Sequence, residues 1–125
     1  QVWEAFASAA KYGLSNLCAT LDINGLQIDG RTADVMPMEP FGAKLSAFGW
    51  NTVEADGHDF GSLRAAYAEA ARSDRPTAVL ARTVKGKGVS FMENQAGWHG
   101  KAPNAEQYGQ AMTELKAALA AAEVE

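Results

Sequence analysis

The sequence predicts an α/β fold in which a parallel sheet is flanked by helices. Apolar runs at residues 17–21 (LCATL) and 77–84 (TAVLARTV) read as strands buried on both faces. Between and around them lie stretches whose apolar residues recur at helical spacing. Strands that alternate with helices pair in parallel through right-handed crossovers. At 125 residues and 47% hydrophobic content, the chain is long and apolar enough for one domain with its own core, taken as residues 1–125.

The elements follow in order. Val2, Trp3, Phe6, Ala10 and Leu14 fall near a helical period, and Gly13 with Ser15-Asn16 supplies the stop. The strand at 17–21 comes next and contains Cys18, read as a buried small hydrophobe without a basic neighbour to activate it. Residues 31–38 show no period and are expected to cross the surface. Glu39-Pro40 resembles a helix start, with proline at the first helical position, Phe41, Leu45 and Phe48 as the buried stripe, and Gly49 as the stop. Residues 50–55 alternate loosely and predict another strand. In the turn DGHD, Asp59 is placed to cap a helix with Leu63, Tyr67 and Ala70 on one face, and His58 is explained as a turn residue. After the strand at 77–84, residues 85–103 form a long, glycine-rich stretch of the kind that usually serves a function. Asn104 and Gln107 match a capping box, and Tyr108, Met112, Leu115 and Leu119 make the apolar stripe of a closing, alanine-rich helix.

Charge narrows the partners. A net charge of −4 and a pI near 5.1 leave no basic face for nucleic acid or an anionic membrane. The single cysteine cannot form an internal disulfide, which suits a reducing compartment. No apolar run is long enough to span a bilayer and no signal-peptide pattern opens the chain, so the expected location is cytoplasmic.

Chemistry-bearing residues gather after two predicted strands, in DINGLQIDG and in KGKGVSF…WHGKAP. Parallel strands would bring both to one sheet edge, facing across a crevice. Asn24 offers a neutral amide oxygen and Leu26 a main-chain carbonyl, hard donors suited to Mg²⁺ or Ca²⁺ when phosphates complete the shell. Lys85 offers positive charge, and Gly86 and Gly88 allow close backbone approach to a ligand. His99 is the histidine placed for proton transfer or phosphate hydrogen bonding. Residue types alone leave plainer alternatives open. Asn, Asp and Gly also make ordinary turns, Trp98 could simply anchor its loop, and a carboxylate such as Glu4 is ordinarily solvated.

The stretches QVWEA, LDINGLQIDG, FGWNTVEADGHD, RPTAVLARTVKGKGVSFMEN and WHGKAPN, in this order and spacing, resemble the transketolases. The resemblance covers nearly the whole chain and corresponds to the C-terminal part of their N-terminal thiamine-diphosphate-binding (PP) domain. It implies a partial domain of that kind. The cofactor motif of this family opens with Gly-Asp-Gly and closes with an asparagine, here matched by Asn24.

By this resemblance Asn24 and the Leu26 carbonyl are metal ligands, alongside an upstream aspartate, two diphosphate oxygens and a water. Glu4 matches a glutamate of the acidic network that links two active sites across a subunit interface, Lys85 a loop position against the cofactor, and His99 a catalytic histidine that reaches the diphosphate and the donor sugar. The implied activity is transfer of a two-carbon ketol unit from a ketose phosphate to an aldose phosphate, with thiamine diphosphate and Mg²⁺ or Ca²⁺. The implied partners are the sugar phosphates and a pyrimidine-binding domain or subunit, in a homo- or hetero-oligomer. The Gly-Asp-Gly half of the motif would precede Gln1, so the isolated chain is expected to bind cofactor weakly and to be inactive. Two alternatives stand beside this expectation: another thiamine-diphosphate enzyme, such as a deoxyxylulose-phosphate synthase or a 2-oxoacid dehydrogenase component, or a non-catalytic structural fragment.

Overall fold

A computed structural model describes residues 1–122. In chain order the elements are α1 (Val2–Lys11), β1 (Cys18–Ile23), β2 (Leu26–Gln27), β3 (Gly30–Arg31), α2 (Thr32–Val35), α3 (Phe41–Ala47), β4 (Asn51–Asp56), α4 (Phe60–Ala70), β5 (Thr77–Arg82), a 3-10 turn (Ala96–Trp98) and α5 (Ala105–Ala122). They divide into two compact units. One comprises Gln1–Ile23 and Met38–Thr83, the other Asn24–Pro37 and the chain from Val84 onward.

The first unit is a parallel three-stranded sheet of order β1-β5-β4. Central β5 is buried along its length except at Arg82, as its unbroken apolar run predicts. Ala78 and Leu80 point to one face, where they meet Ala9 of α1, Leu45 of α3 and Trp50. Val79 points to the other and meets Ala55 and Ala66. The Trp50 ring packs edge-on against Phe6 with centroids 4.8 Å apart, and its indole nitrogen donates to the Phe6 carbonyl at 2.9 Å. That bond satisfies the one polar atom of an otherwise apolar side chain.

Helix ends in this unit follow local chemistry. Gly13 (φ +60°) and Gly49 (φ +90°) end α1 and α3 with paired backbone bonds, Leu14 N to Ala9 O (3.1 Å) with Gly13 N to Ala10 O (3.1 Å), and Trp50 N to Leu45 O (3.1 Å) with Gly49 N to Ser46 O (2.9 Å). This is the Schellman arrangement, in which glycine takes the left-handed position. Asp59 caps α4 through Gly61 N at 2.8 Å. Pro40 sits one residue earlier than the sequence predicts, as the N-cap of α3, and Glu39 accepts from Phe41 N at 2.9 Å. The other Glu39 oxygen accepts from Arg82, whose guanidinium also engages both oxygens of Glu54 at 3.1 and 3.3 Å.

The structure corrects the expected double burial of the first strand. β1 is an edge strand with alternating exposure, and Cys18 is exposed rather than buried. Ala19, Leu21 and Ile23 pack against the α1/α3 side. On the opposite face Thr20 meets α4 through a hydroxyl–hydroxyl bond to Tyr67 at 3.0 Å. Desolvation still pushes the Cys18 thiol pKa up, away from the reactive thiolate.

In the second unit residues 24–31 do more than turn, because Leu26–Gln27 and Gly30–Arg31 form an antiparallel hairpin that runs into α2. The predicted featureless surface stretch at 31–38 therefore begins with a strand and a helical turn. Asn104 and Gln107 form the predicted capping box, each side chain accepting from the other's backbone amide at 2.9 and 3.0 Å. The predicted stripe of α5 is corrected, since Tyr108, Leu115 and Leu119 are exposed and Ala111 is its buried residue. The last three residues of the alanine-rich tail lie outside the described residues.

These burials predict a sharp contrast. Leu45→Ala, at 0% exposure, is expected to cost about 2–4 kcal/mol in urea unfolding. Leu119→Ala, at 60% exposure, is expected to stay within about 0.5 kcal/mol of the parent. Similar losses for both would contradict this core assignment.

Candidate functional site

Asn24 and Leu26 are tied together by a local turn. Asn24 Oδ1 accepts from Leu26 N at 2.9 Å, the Asx geometry that short amide side chains favour. Gly25 between them lies at φ +74°, where glycine is at ease. Thr32 N donates to Gly25 O at 2.9 Å, which makes Gly25–Thr32 a hydrogen-bonded pair of the hairpin. Pairs alternate along an antiparallel ladder, so Leu26–Arg31 is a pair of the other type, and the Leu26 N–H and C=O point away from β3. One short turn thus presents an amide oxygen and a main-chain carbonyl two residues apart, both half-buried. Both are hard oxygen donors and fit a Mg²⁺- or Ca²⁺-type cation whose remaining ligands come from elsewhere. Among the described residues no cluster of three or more His, Cys, Asp or Glu side chains could hold a metal without outside ligands.

Lys85 and His99 lie in the same unit as Asn24 and Leu26. Lys85 is half-buried, and its carbonyl accepts from Asn94 N at 3.0 Å, closing the loop on itself. Gly86 (φ +74°) has no space for a side chain, since a Cβ there would stand 2.6 Å from the Met92 carbonyl oxygen. The turn that follows has Met92 N and Glu93 N both donating to Val89 O, at 2.9 and 3.1 Å. Glu93 reaches back to Gly88 N at 3.0 Å and pairs with Lys87 at 3.7 Å.

His99 ends the 3-10 turn and is exposed, with its amide bonded to Ala96 O at 3.0 Å. Beside it Trp98 donates to the Phe91 carbonyl at 3.0 Å and packs on the Phe91 ring at 5.3 Å, with Lys101 Nζ 4.9 Å from its ring centre. Trp98 is therefore the anchor that holds the histidine segment to the Lys85 loop.

Glu4 lies in the other unit, exposed on α1. A backbone hydrogen bond holds its carboxyl below the usual range. The neighbouring cleft is lined mainly by apolar side chains, among them Trp3, Phe6, Leu21, Met38, Phe41 and Leu45, with Gln1 also in its wall.

Sequence patterns missed two features of this region. The hairpin turns on Ile28-Asp29, which lack the Asn-Gly or Asp-Gly pair that marks a two-residue loop, although Gly30 follows directly. The contacts of Ser90 with Glu114 and Gln110 had no readable signal, because they join residues more than a turn of helix apart in no recognised motif.

Residues 2–121 match the model of the family described as transketolase, thiamine diphosphate binding domain. Transketolase-like protein 2 of Bos taurus is 43% identical over 101 residues, covering 80% of this chain and 16% of that protein. A subunit of the apulose-4-phosphate transketolase of Phocaeicola vulgatus is 37% identical over 115 residues, covering 91% of this chain and 41% of that protein. The crystal structure of transketolase from Campylobacter jejuni superposes with a TM-score of 0.84 at 25% identity, over 90% of this chain and 18% of that one. The chain thus spans well under half the length of these relatives. It belongs to the transketolase thiamine-diphosphate-binding family.

Gly86→Ala tests the loop geometry. A left-handed non-glycine residue costs about 1–3 kcal/mol, and the Met92 carbonyl 2.6 Å away adds a clash. The expected result is faster amide exchange at residues 85–94 with β5 unchanged, and an unaltered loop would contradict it.

Proposed function

We propose that this chain serves as one section or subunit of a transketolase-type transferase, which moves a two-carbon ketol unit from a ketose phosphate to an aldose phosphate. The family match across residues 2–121 carries this proposal. The turn that pairs the Asn24 amide oxygen with the Leu26 carbonyl supports it. These two oxygens would hold Mg²⁺, or Ca²⁺, bound to the diphosphate of thiamine diphosphate. When bound, that cofactor supplies the carbon nucleophile and electron sink for carbon–carbon cleavage.

The chain's own residues supply placement and charge. Lys85, on a loop closed by Asn94, would set positive charge against the diphosphate. His99, exposed beside the Trp98 anchor, would donate a hydrogen bond to the diphosphate and to donor-sugar hydroxyls, and is the proposed catalytic residue. Glu4 would take part in the acidic network at a subunit interface. The relative from Phocaeicola vulgatus is named as one subunit of its transketolase, which supports assembly of this chain with a pyrimidine-binding partner in an oligomer. A cytoplasmic setting and sugar phosphates of the pentose phosphate type complete the proposal.

Asn24 and Leu26 are two donors where Mg²⁺ takes six, so the 125-residue chain alone is expected to bind cofactor weakly or not at all. Calorimetric titration with thiamine diphosphate and Mg²⁺ measures this, and tight binding by the isolated chain would refute it. In the assembled enzyme, Asn24→Ala is expected to raise the metal concentration needed for ketol transfer by at least about tenfold, the lower range for losses at metal sites. Unchanged metal dependence would remove Asn24 from the ligand set, and absence of ketol transfer in the parent assembly would overturn the proposed activity.

A further inference from the structure

One half-buried carboxylate joins the Lys85 loop to α5. Glu114 Oε2 accepts from Ser90 N at 2.7 Å, and Oε1 accepts from Ser90 Oγ at 2.7 Å and from Gln110 Nε2 at 2.8 Å. Gln110 Nε2 also donates to Ser90 Oγ at 3.3 Å. Ser90 opens the single helical turn that closes on Val89 O, so its amide has no partner within that turn. Glu114 therefore caps from a distant helix an amide that a cap usually satisfies from its own segment. The neighbouring residues fit the same approach. A Cβ at Gly88 (φ +92°) would stand 3.2 Å from Leu115 Cδ2, and Val89 is buried.

We infer that Glu114 is a positioning residue, which fixes the stretch from Lys85 to Asn94 on α5 before any ligand arrives. Its value to the enzyme rests on the cofactor role proposed for Lys85, whereas the clamp itself does not. The Ser90 hydroxyl, the Ser90 amide and then Gln110 hold the Glu114 carboxyl below the usual range. A depressed carboxyl gives a contribution that is fully present above the ordinary glutamate value and is lost as pH falls through the lower folded value. The charged residues of the turn, Lys87 and Glu93, pair with each other, and among the described residues no ion pair reaches Glu114.

The test is residue-resolved amide exchange and NMR on the full chain, comparing the parent with Glu114→Ala and Glu114→Gln. Glu114→Ala is expected to speed exchange at Ser90 by about tenfold, in line with loss of a charged acceptor, and to shift the Lys85 and Asn94 signals, with β5 unaffected. Glu114→Gln keeps the shape and one acceptor. It is expected to retain part of the protection at neutral pH and to abolish its loss in acid, and it decides the matter alone if the alanine variant fails to fold. Unchanged exchange at Ser90, an equal loss across β5, or an acid transition that persists in Glu114→Gln would overturn the clamp. Inorganic pyrophosphate with Mg²⁺, added to the assembled enzyme in which the remaining metal ligands are supplied, then separates clamp from function. Shifts at Lys85 that weaken in Glu114→Ala support both. A parent that shows no shifts but keeps the Ser90 effect removes the cofactor role and leaves the clamp. Equal shifts in parent and variant overturn the positioning role.

Discussion

The parallel register around β5 sets the terms for the rest of the structure. It pairs Ile23 with Arg82 and Asp56 with Arg82, so three strands finish level. Thr83 N then bonds Ile23 O at 3.3 Å, Gly57 N bonds Arg82 O at 2.8 Å, and Thr83 Oγ1 donates to Asp22. The approach is so close that a Cβ on Gly57 would lie 2.4 Å from Thr83 Cγ2. Segments that begin at Asn24 and Val84 therefore start from neighbouring, fixed strand ends. In sequence, Asn24, Leu26 and Lys85, all proposed to bind cofactor, follow within a few positions of β1 and β5.

What the sequence revealed and what it hid divide along a physical line. The Asp59 cap, the Asn104/Gln107 box and the glycine stops at Gly13 and Gly49 were legible because each is settled by side chains and dihedrals within a few residues. β5 was legible because a strand covered on both faces must be apolar throughout. β1 has a similar apolar composition but lies at the sheet edge, so its burial was decided by which helices cover it, a tertiary fact. The α5 stripe failed for the same reason, since amphipathic spacing shows that a face could be buried and says nothing of whether it is. That Asn24 and Leu26 share one loop was legible from their spacing. The orientation of their oxygens needed the hairpin pairing, which the folded chain alone displays.

The two halves of the candidate site are held by different means, and the difference bears on how they would respond to a ligand. The Asn24 turn is local: a side-chain bond spanning two residues and a short hairpin fix it, so few distant substitutions should disturb the donor pair. The Lys85 loop depends on carboxylates, with Glu93 serving Gly88 N from within the loop and Glu114 serving Ser90 from 24 residues away. Partly solvated bonds of this kind contribute little singly. They matter here because they reach amides at the opening of an isolated turn, which has no helix beyond it to share the cost of order.

A loop of this design belongs to the low-stability end of a structure, where local opening is easiest. Gly86, with no room for a Cβ against Met92, and Gly88, close to Leu115, give it one compact path when closed. The carboxylate bonds select that path without locking it. An anion arriving at Lys85 would then meet a surface already arranged in part, so less of its binding energy is spent on ordering the chain. The position of Glu114 on α5, outside the stretch that carries Lys85 and His99, means that the last described helix helps shape the Lys85 loop.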